Sequence, residues 1–464
     1  MVEFKAQKIH LKVEGEEKKL LLLLCFMSKN VYNTALYQLR GWYFKSKGRV
    51  LTMNTLLTRL KENENYKYLG FDWGDAIIMD AYKAFTKYVK FHNYDGTLKK
   101  CISKQTSQKD TSKFPHYLPK DGYRGFRSKG IKRDETNEYV ILPLPEKIKN
   151  GSIFKDVIID KQLREYIAKC GDVNITTFKI KIPENILKQA IRLIEIIPER
   201  NGNYIYASLL YPIILLEPKK ERDDRIMGID LGVNNLMTCV TTRGEAFIIN
   251  GRSLKSVICL YNKKIAYHQS KLPVYEINNK FIYPKTKRLV SVNRRGFNRI
   301  NDYINKAVAL LYKIALEQDV RTIVIGWNED FKEDVAKNPG DKTNGDQSKK
   351  NRILLKTPLA KLRSKIINKG KHLGIKVELV DESYTSQKSF YDNDSFSDNK
   401  CSGTRKERGL YITADGKRTV NADLNAALNI LVKYSDKRNK PIKELEELRS
   451  KKILVPKIIQ VKIG

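Results

Sequence analysis

Read for the spacing of its apolar residues, the chain falls into three regimes. Residues 1–13 alternate like a strand, after which Leu20, Leu24, Met27, Val31, Ala35, Leu39 and Trp42 recur at steps of three and four, a helical stripe. A second helix is predicted over 51–61, and a third over 72–92, where Ile77, Ala81, Phe85, Tyr88 and Phe91 share a face. Residues 14–95 therefore read as a helical bundle. Between 139 and 216 the pattern shortens to strands: VNITTFKIKI, then LIEIIP and YIYASLLY around an Arg-Asn-Gly turn, a hairpin signal. These strands predict a small β-barrel-like domain that includes the first strand and carries the helical bundle as an insertion.

The charged stretch EPKKERDDR, 217–225, reads as a linker into a third regime. RIMGIDLGVNNLMTCVTTRGEAFIING predicts three strands turned at 232–235 and at Arg243-Gly244, an antiparallel meander. A helix over 298–318 puts Ile300, Ile304, Ala307, Leu311 and Ala315 on one face, with Arg294, Arg295 and Arg299 at its start. The strand TIVIG, a polar loop, a helix over 359–373 and the strand IKVELV follow. A last helix, in VNADLNAALNI, is capped by Asn421. Meander, helix, strand, helix, strand, helix is the order of an RNase H-like fold, within a multidomain α/β chain.

Length and composition narrow the partners. At 464 residues the chain has room for two or three domains, and its best apolar run, LLLLLCFM, falls far short of the roughly 20 residues that span a bilayer. The opening MVEFKAQKIHLKV has no apolar export region, so a cytoplasmic home and no membrane partner are expected. Six scattered cysteines (Cys25, Cys101, Cys170, Cys239, Cys259, Cys401), with no CxxC pair, argue against a disulfide framework and against a zinc ribbon. The formal net charge of +36, from 88 Lys and Arg against 52 Asp and Glu, is spread along the chain and points to a polyanion, nucleic acid foremost. A membrane-surface protein would instead concentrate such charge on one amphipathic helix. Residues 99–133 set Phe114, Tyr117, Tyr123 and Phe126 among basic residues such as Lys120 and Arg124. That segment reads either as a linker or as the wall of a nucleic-acid channel.

Three acids stand out: Asp230 in the first strand of the meander, Glu382 just after IKVELV, and Asp423 at the start of the last helix. A carboxylate inside the apolar GIDLG is costly to bury without a purpose. Asp423 alone could merely suit a helix N-terminus, and an acid after a strand is commonplace. In an RNase H-like sheet, however, the first and fourth strands are neighbours and the last helix crosses them, so these three element ends converge. Converging carboxylates need cations, and hard oxygen donors suit Mg²⁺ or Mn²⁺. Two such ions would cut a phosphodiester to 5′-phosphate and 3′-hydroxyl ends. GIDLG also occurs in sugar kinases and actin-like ATPases, but the glycine-rich phosphate loops of those proteins are missing here, and +36 suits them poorly.

Several blocks in order resemble the transposon-encoded TnpB (OrfB) proteins, relatives of the compact type V CRISPR effectors. They are GIDLGVNNL (228–236), RLVSVNRRGFNRINDYINKA (288–307), DESYTSQKSFYDND (381–394), SGTRKERGLYITADGKRTVNADLNAALNIL (402–431) and LVPKIIQV (454–461). The resemblance implies a RuvC nuclease domain at 223–464, a wedge-like β-barrel at 1–13 and 134–222, and a helical recognition domain at 14–133. It also implies a guide RNA and cleavage of double-stranded target DNA, with a monomer favoured. Two departures follow. Many members carry four zinc cysteines in the insertion at about 386–420, where this chain has Cys401 alone and an Asp415-Gly416 turn, so no structural zinc is expected. Arg405, Lys406 and Arg408 in that insertion suit phosphate. In many members the strand matching TIVIG also ends in a glutamate, where Gly326 stands here; Glu382 in ESYTS is the expected replacement and Glu329 its competitor. Trp327 stays open between packing and base stacking. A nuclease-dead DNA binder, a CRISPR-associated effector and a strand-joining transposase remain the alternatives.

Overall fold

The computed structural model describes residues 2–93, 114–171, 173–199, 202–277, 280–284, 286–328, 357–397, 400–407, 409–450 and 454–461. The chain divides into two compact units, 2–214 and 215–464.

In the first unit β1 (Val2–Leu11) leads into α1 (Gly15–Lys45), α2 (Met53–Leu60) and α3 (Glu64–Phe91). The α1 stripe is buried from Leu20 to Leu39, but Trp42 turns outward. Thr52 and Asn63 cap α2 and α3 by accepting from the backbone N–H three residues on. The third helix thus begins at Glu64 rather than at 72, because a kink at Gly70 (φ 75°) interrupts the period that sequence reading follows. The strands β2 (Phe126–Ser128), β3 (Lys132–Arg133), β4 (Tyr139–Leu142), β5 (Phe178–Lys181), β6 (Leu193–Glu199) and β7 (Tyr204–Ile214) follow. Interspersed with them are the short helices α4 (Glu146–Lys149) and α5 (Ser152–Lys155) and the longer α6 (Lys161–Cys170). The 193–214 hairpin forms as expected, with Glu199 opposite Tyr204. Only FKIK of VNITTFKIKI is strand, and α6 escapes sequence reading because just Leu163 and Cys170 of it are buried. The strands expected to form a barrel pair, among the described residues, as two sheets ordered β1-β7-β6-β2 and β3-β4-β5. Helices and sheets share one apolar core, in which Leu24 and Phe85 lie with Phe126, Ile194 and Leu209.

The second unit opens with the meander β8 (Ile226–Leu231), β9 (Asn235–Thr241) and β10 (Ala246–Asn250). Next come α7 (Arg252–Gln269), a hairpin β11 (Tyr275–Ile277) and β12 (Lys280–Ile282), and α8 (Lys287–Glu317). Thr286 caps α8, which starts before the expected 298 because its first turns are basic and polar. Then follow β13 (Thr322–Gly326), α9 (Leu359–Leu373), β14 (Lys376–Val380), β15 (Thr404–Glu407), β16 (Leu410–Ile412), β17 (Thr419–Asn421), α10 (Ala422–Lys437), α11 (Lys443–Ser450) and β18 (Lys457–Ile459). The main sheet runs β14-β13-β8-β9-β10-β18, with β8 and β13 parallel neighbours. Alternate residues enter opposite cores: Met227, Ile229, Ile323 and Ile325 pack with Leu311 and Leu362, whereas Ile226 and Val324 pack with Leu424, Leu428 and Leu431 of α10. A sheet covered on both faces explains why β8 and β13 read as apolar runs rather than as alternating ones, with Asp230 the one acid in β8.

Candidate active site

Helix α10 approaches the sheet at a glycine. A side-chain carbon at Gly228 would lie 2.6 Å from the carbonyl oxygen of Ala427 and 2.8 Å from Leu431 Cγ, so only glycine lets the helix this close. Two residues further along β8, on the same face, stands Asp230; four residues back along α10, on the same side of the helix, stands Asp423. The two steps are about 6.6 Å and about 6 Å at strand and helix rise, so both carboxylates reach one end of the sheet together. Asn421 fixes the helix start there, its Oδ1 accepting from the N–H of Asp423 (3.0 Å) and of Leu424 (3.1 Å).

Glu382 enters from the neighbouring strand. Ile325 of β13 pairs with Ile229 of β8, and Gly326, the next residue, pairs with Val380 of β14. A β-carbon on Gly326 would lie 3.2 Å from that of Glu382. The glutamate two residues past β14 thus starts from almost the point at which a side chain on 326 would start.

Asp230, Glu382 and Asp423 are each half-buried as residues. The Asp230 carboxyl is pushed up to about 8, first by burial and then by Asp423 and Glu382, with Arg405 pulling the other way. Glu382 is raised by burial and by Asp381, against Lys433. Asp423 accepts from Asn235 Nδ2 at 2.7 Å, and its other oxygen lies 3.6 Å from an Arg405 nitrogen. The donor set is that of a hard divalent cation. Among the described residues, however, no three His, Cys, Asp or Glu side chains converge at metal-holding distance, and Asp423 is engaged by Asn235 and Arg405.

Sequence reading missed the residues that hold Glu382 in place. Asn429 donates to the carbonyls of Thr385 (2.9 Å) and Lys388 (2.7 Å). Asn425 donates to Lys388 O (2.7 Å) and accepts from Phe390 N–H (3.0 Å). Lys433 donates to Ser383 O (2.6 Å) and pairs with Asp381 at 3.1 Å. Spaced by four, these side chains clamp the segment after β14 along the helix that bears Asp423. The available signal was two asparagines at i, i+4 within the otherwise apolar stretch 424–432 of the helix.

The remaining expected residues divide. Arg405 and Lys406 are exposed on β15, Arg405 beside Asp423, while Arg408 lies outside the described residues. On α8, Arg295 and Arg299 are exposed and Arg294 is partly buried. Gly296 between them has no room for a side chain because Tyr261 of α7 packs 2.8 Å from its β-carbon position. Lys120 and Arg124 belong to the first unit: Lys120 is exposed, and its carbonyl accepts from the buried Lys29. Arg124 pairs with Asp80 at 2.9 Å and lies over Tyr32, an internal engagement that its expected phosphate role did not anticipate. Glu329 lies outside the described residues. Trp327 packs against the core under the Arg363 guanidinium, 4.1 Å from its ring. In the insertion, Tyr411 is fully buried and donates to Gln387 O (2.8 Å), and Thr413 and Asp415 close the turn before β17.

Comparison with known proteins matches residues 208–331 to the OrfB_IS605 model, described as a probable transposase, and residues 360–430 to the Cas12f1-like TNB domain. A TnpB-like protein, ORF457, of Acidianus two-tailed virus is 29% identical over 219 residues, 46% of this chain and 43% of its own length. The matched segment therefore spans less than half of that relative. Among solved structures, a Cas12f1–sgRNA–target DNA complex aligns over 90% of this chain and 82% of its own at 14% identity and TM-score 0.48. The mini-RNA-guided endonuclease CRISPR-Cas_phi3 aligns over 98% and 93% at 12% identity and TM-score 0.43. The two family models are met in order along the chain, and with a TnpB-like relative beside them the chain is similar, over these stretches, to the TnpB (OrfB) proteins and to a Cas12f1-like domain.

Proposed function

We propose that this chain is an RNA-guided, Mg²⁺-dependent DNA endonuclease of a mobile genetic element, cutting through a RuvC-type site made of Asp230, Glu382 and Asp423. The observation that carries the reading is that three acids from three separate elements stand at one end of β8, β14 and α10, near enough for Asp423 and Glu382 to act on Asp230. The strand order, with the meander β8-β9-β10 flanked by the parallel β13 and β14, supports an RNase H-like nuclease. Asp230, Glu382 and Asp423 would be the residues to hold Mg²⁺, which when bound would make a coordinated water more acidic and neutralise charge at the leaving oxygen. Asp230 offers its oxygens from a rigid central strand, Asn235 and Asn421 orient Asp423, and Arg405 stands where it can meet a phosphate. The first unit, as a wedge-like part with inserted recognition helices, would hold the guide RNA, and the spread of +36 suits an RNA and a DNA duplex together.

The test is to purify the protein with co-expressed RNA, sequence that RNA, and challenge a DNA library with randomised flanks in Mg²⁺ or in EDTA. A discrete bound RNA, cutting in Mg²⁺ alone, and loss of cutting in Asp230→Ala are expected. Absence of a discrete RNA overturns guidance, and cutting by Asp230→Ala overturns the site. Guided binding without cutting by the unaltered protein would make it a nuclease-inactive DNA binder.

A further inference from the structure

The C-terminal end of α1 and the neighbouring α2 frame an open recess of about 430 Å³ in the first unit. Its lining includes four large aromatics that solvent reaches: Tyr37 is 66% exposed, Phe44 53%, Tyr117 43% and Trp42 37%. Among the described residues three cations, Arg40, Lys45 and Arg59, complete the lining, and no acid belongs to it. Tyr37, Gly41, Phe44 and Lys45 share one face of α1. A side-chain carbon at Gly41 would meet nothing within 4 Å, so the recess stays open above the helix there. Two of the cations are stacked on rings: Arg40 lies 4.5 Å from the centres of both Phe114 and Tyr117, and Arg59 lies 5.2 Å from that of Trp42.

Exposing this many aromatic faces together is unfavourable unless something flat covers them. An apolar partner surface would leave the three cations without counter-charge, and an acidic peptide would leave the ring faces bare. A nucleotide satisfies both, since every base has a π-face and every link carries a negative phosphate. The volume also falls in the range of small-ligand sites, about 300–1,000 Å³. We infer that this recess binds one unpaired nucleotide of a single-stranded polynucleotide, its base stacked on Trp42 or Tyr37 and its phosphates against Arg59 and Lys45. The inference rests on the reading of the first unit as the part that holds nucleic acid, but it needs no cleavage, so its failure is distinguishable from failure of the site at Asp230, Glu382 and Asp423.

The experiment uses the full chain stripped of co-purified nucleic acid, with short single-stranded RNA or DNA oligomers carrying iodouridine. Photocrosslinks to Tyr37 or Trp42 are expected, and Tyr37→Ala and Trp42→Ala should each weaken binding by about tenfold, whereas Trp42→Phe keeps it. Arg59→Gln combined with Lys45→Gln should flatten the salt dependence of binding. Preference for RNA assigns the occupant to the guide, preference for DNA to the unwound target, and equal binding leaves the site open to both chemistries as inferred. Should Trp42→Ala fail to fold, the more exposed Tyr37→Ala carries the test. Crosslinks confined to other residues, unaltered affinity in both alanine variants, or displacement of the oligomer by polyglutamate would overturn the inference.

Discussion

A β-carbon at position 326 would stand 2.6 Å from Cδ1 of Ile430 as well as 3.2 Å from the β-carbon of Glu382. There is space for one side chain, and Glu382 has it. Gly326→Ala should therefore destabilise the protein by ~1–3 kcal/mol in urea unfolding, and adding Ile430→Val should recover part of the loss. Glu382→Gln should abolish cutting at an unchanged melting temperature. If the place of the carboxylate matters more than its backbone origin, Gly326→Glu with Glu382→Ala and Ile430→Ala should cut again. Asp230 carries a pH signature. Burial and the neighbouring Asp423 and Glu382 push its carboxyl up to about 8 in the folded state, against about 4 unfolded, so between those values the folded state should hold the extra proton. Stability in EDTA should then fall as pH rises through this window, and Asp230→Asn should flatten the decline in thermal melts. At the residue scale Asp230 and Asp423 were legible because an acid in an apolar strand and an acid beside a capping asparagine break local patterns. The room made by Gly326 was not, since it depends on Ile430 and Glu382 arriving from other elements.

Helix α10 is the element on which the proposed chemistry turns. Its start carries Asp423, its small face admits Gly228, and its polar row of Asn425, Asn429 and Lys433 holds the segment that bears Glu382. Removing one partner of a buried hydrogen bond strands the other, at about 1–3 kcal/mol each. Asn425→Ala and Asn429→Ala should accordingly lose that much stability and speed amide exchange over 385–390. Cutting should fall while affinity for nucleic acid holds; an exchange rate unchanged in both variants would dissociate the clamp from the loop. Elements with a full apolar stripe, such as α1, were legible in the sequence. Those that bury few residues, such as α6, or open on basic turns, such as α8, were not, because periodicity records burial rather than helix formation itself.

Across the whole molecule, charge is the property that no single element explains. With +36 spread over both units, binding of any polynucleotide should weaken steeply with salt. A log–log plot of affinity against salt concentration should be steep for guide RNA, and shallower once Arg295 and Arg299 are both changed to Gln. A slope near zero would show that the charge serves some purpose other than phosphate contact. Among the described residues no helix is long and apolar enough to cross a membrane.

What the sequence by itself determined was everything carried by local pattern. The strand meander, the capped last helix, the excess of positive charge and the candidacy of Asp230 and Asp423 all follow from neighbouring residues and composition, whereas Glu382 was singled out by the family resemblance. What the tertiary structure alone decided was proximity. The register of β8, β13 and β14, and the glycine contact that lets α10 settle on β8, bring acids some 150 and 190 residues from Asp230 in sequence to one end of a sheet. Local spacing encodes which residues face inward; only packing of complementary surfaces encodes which inward faces meet.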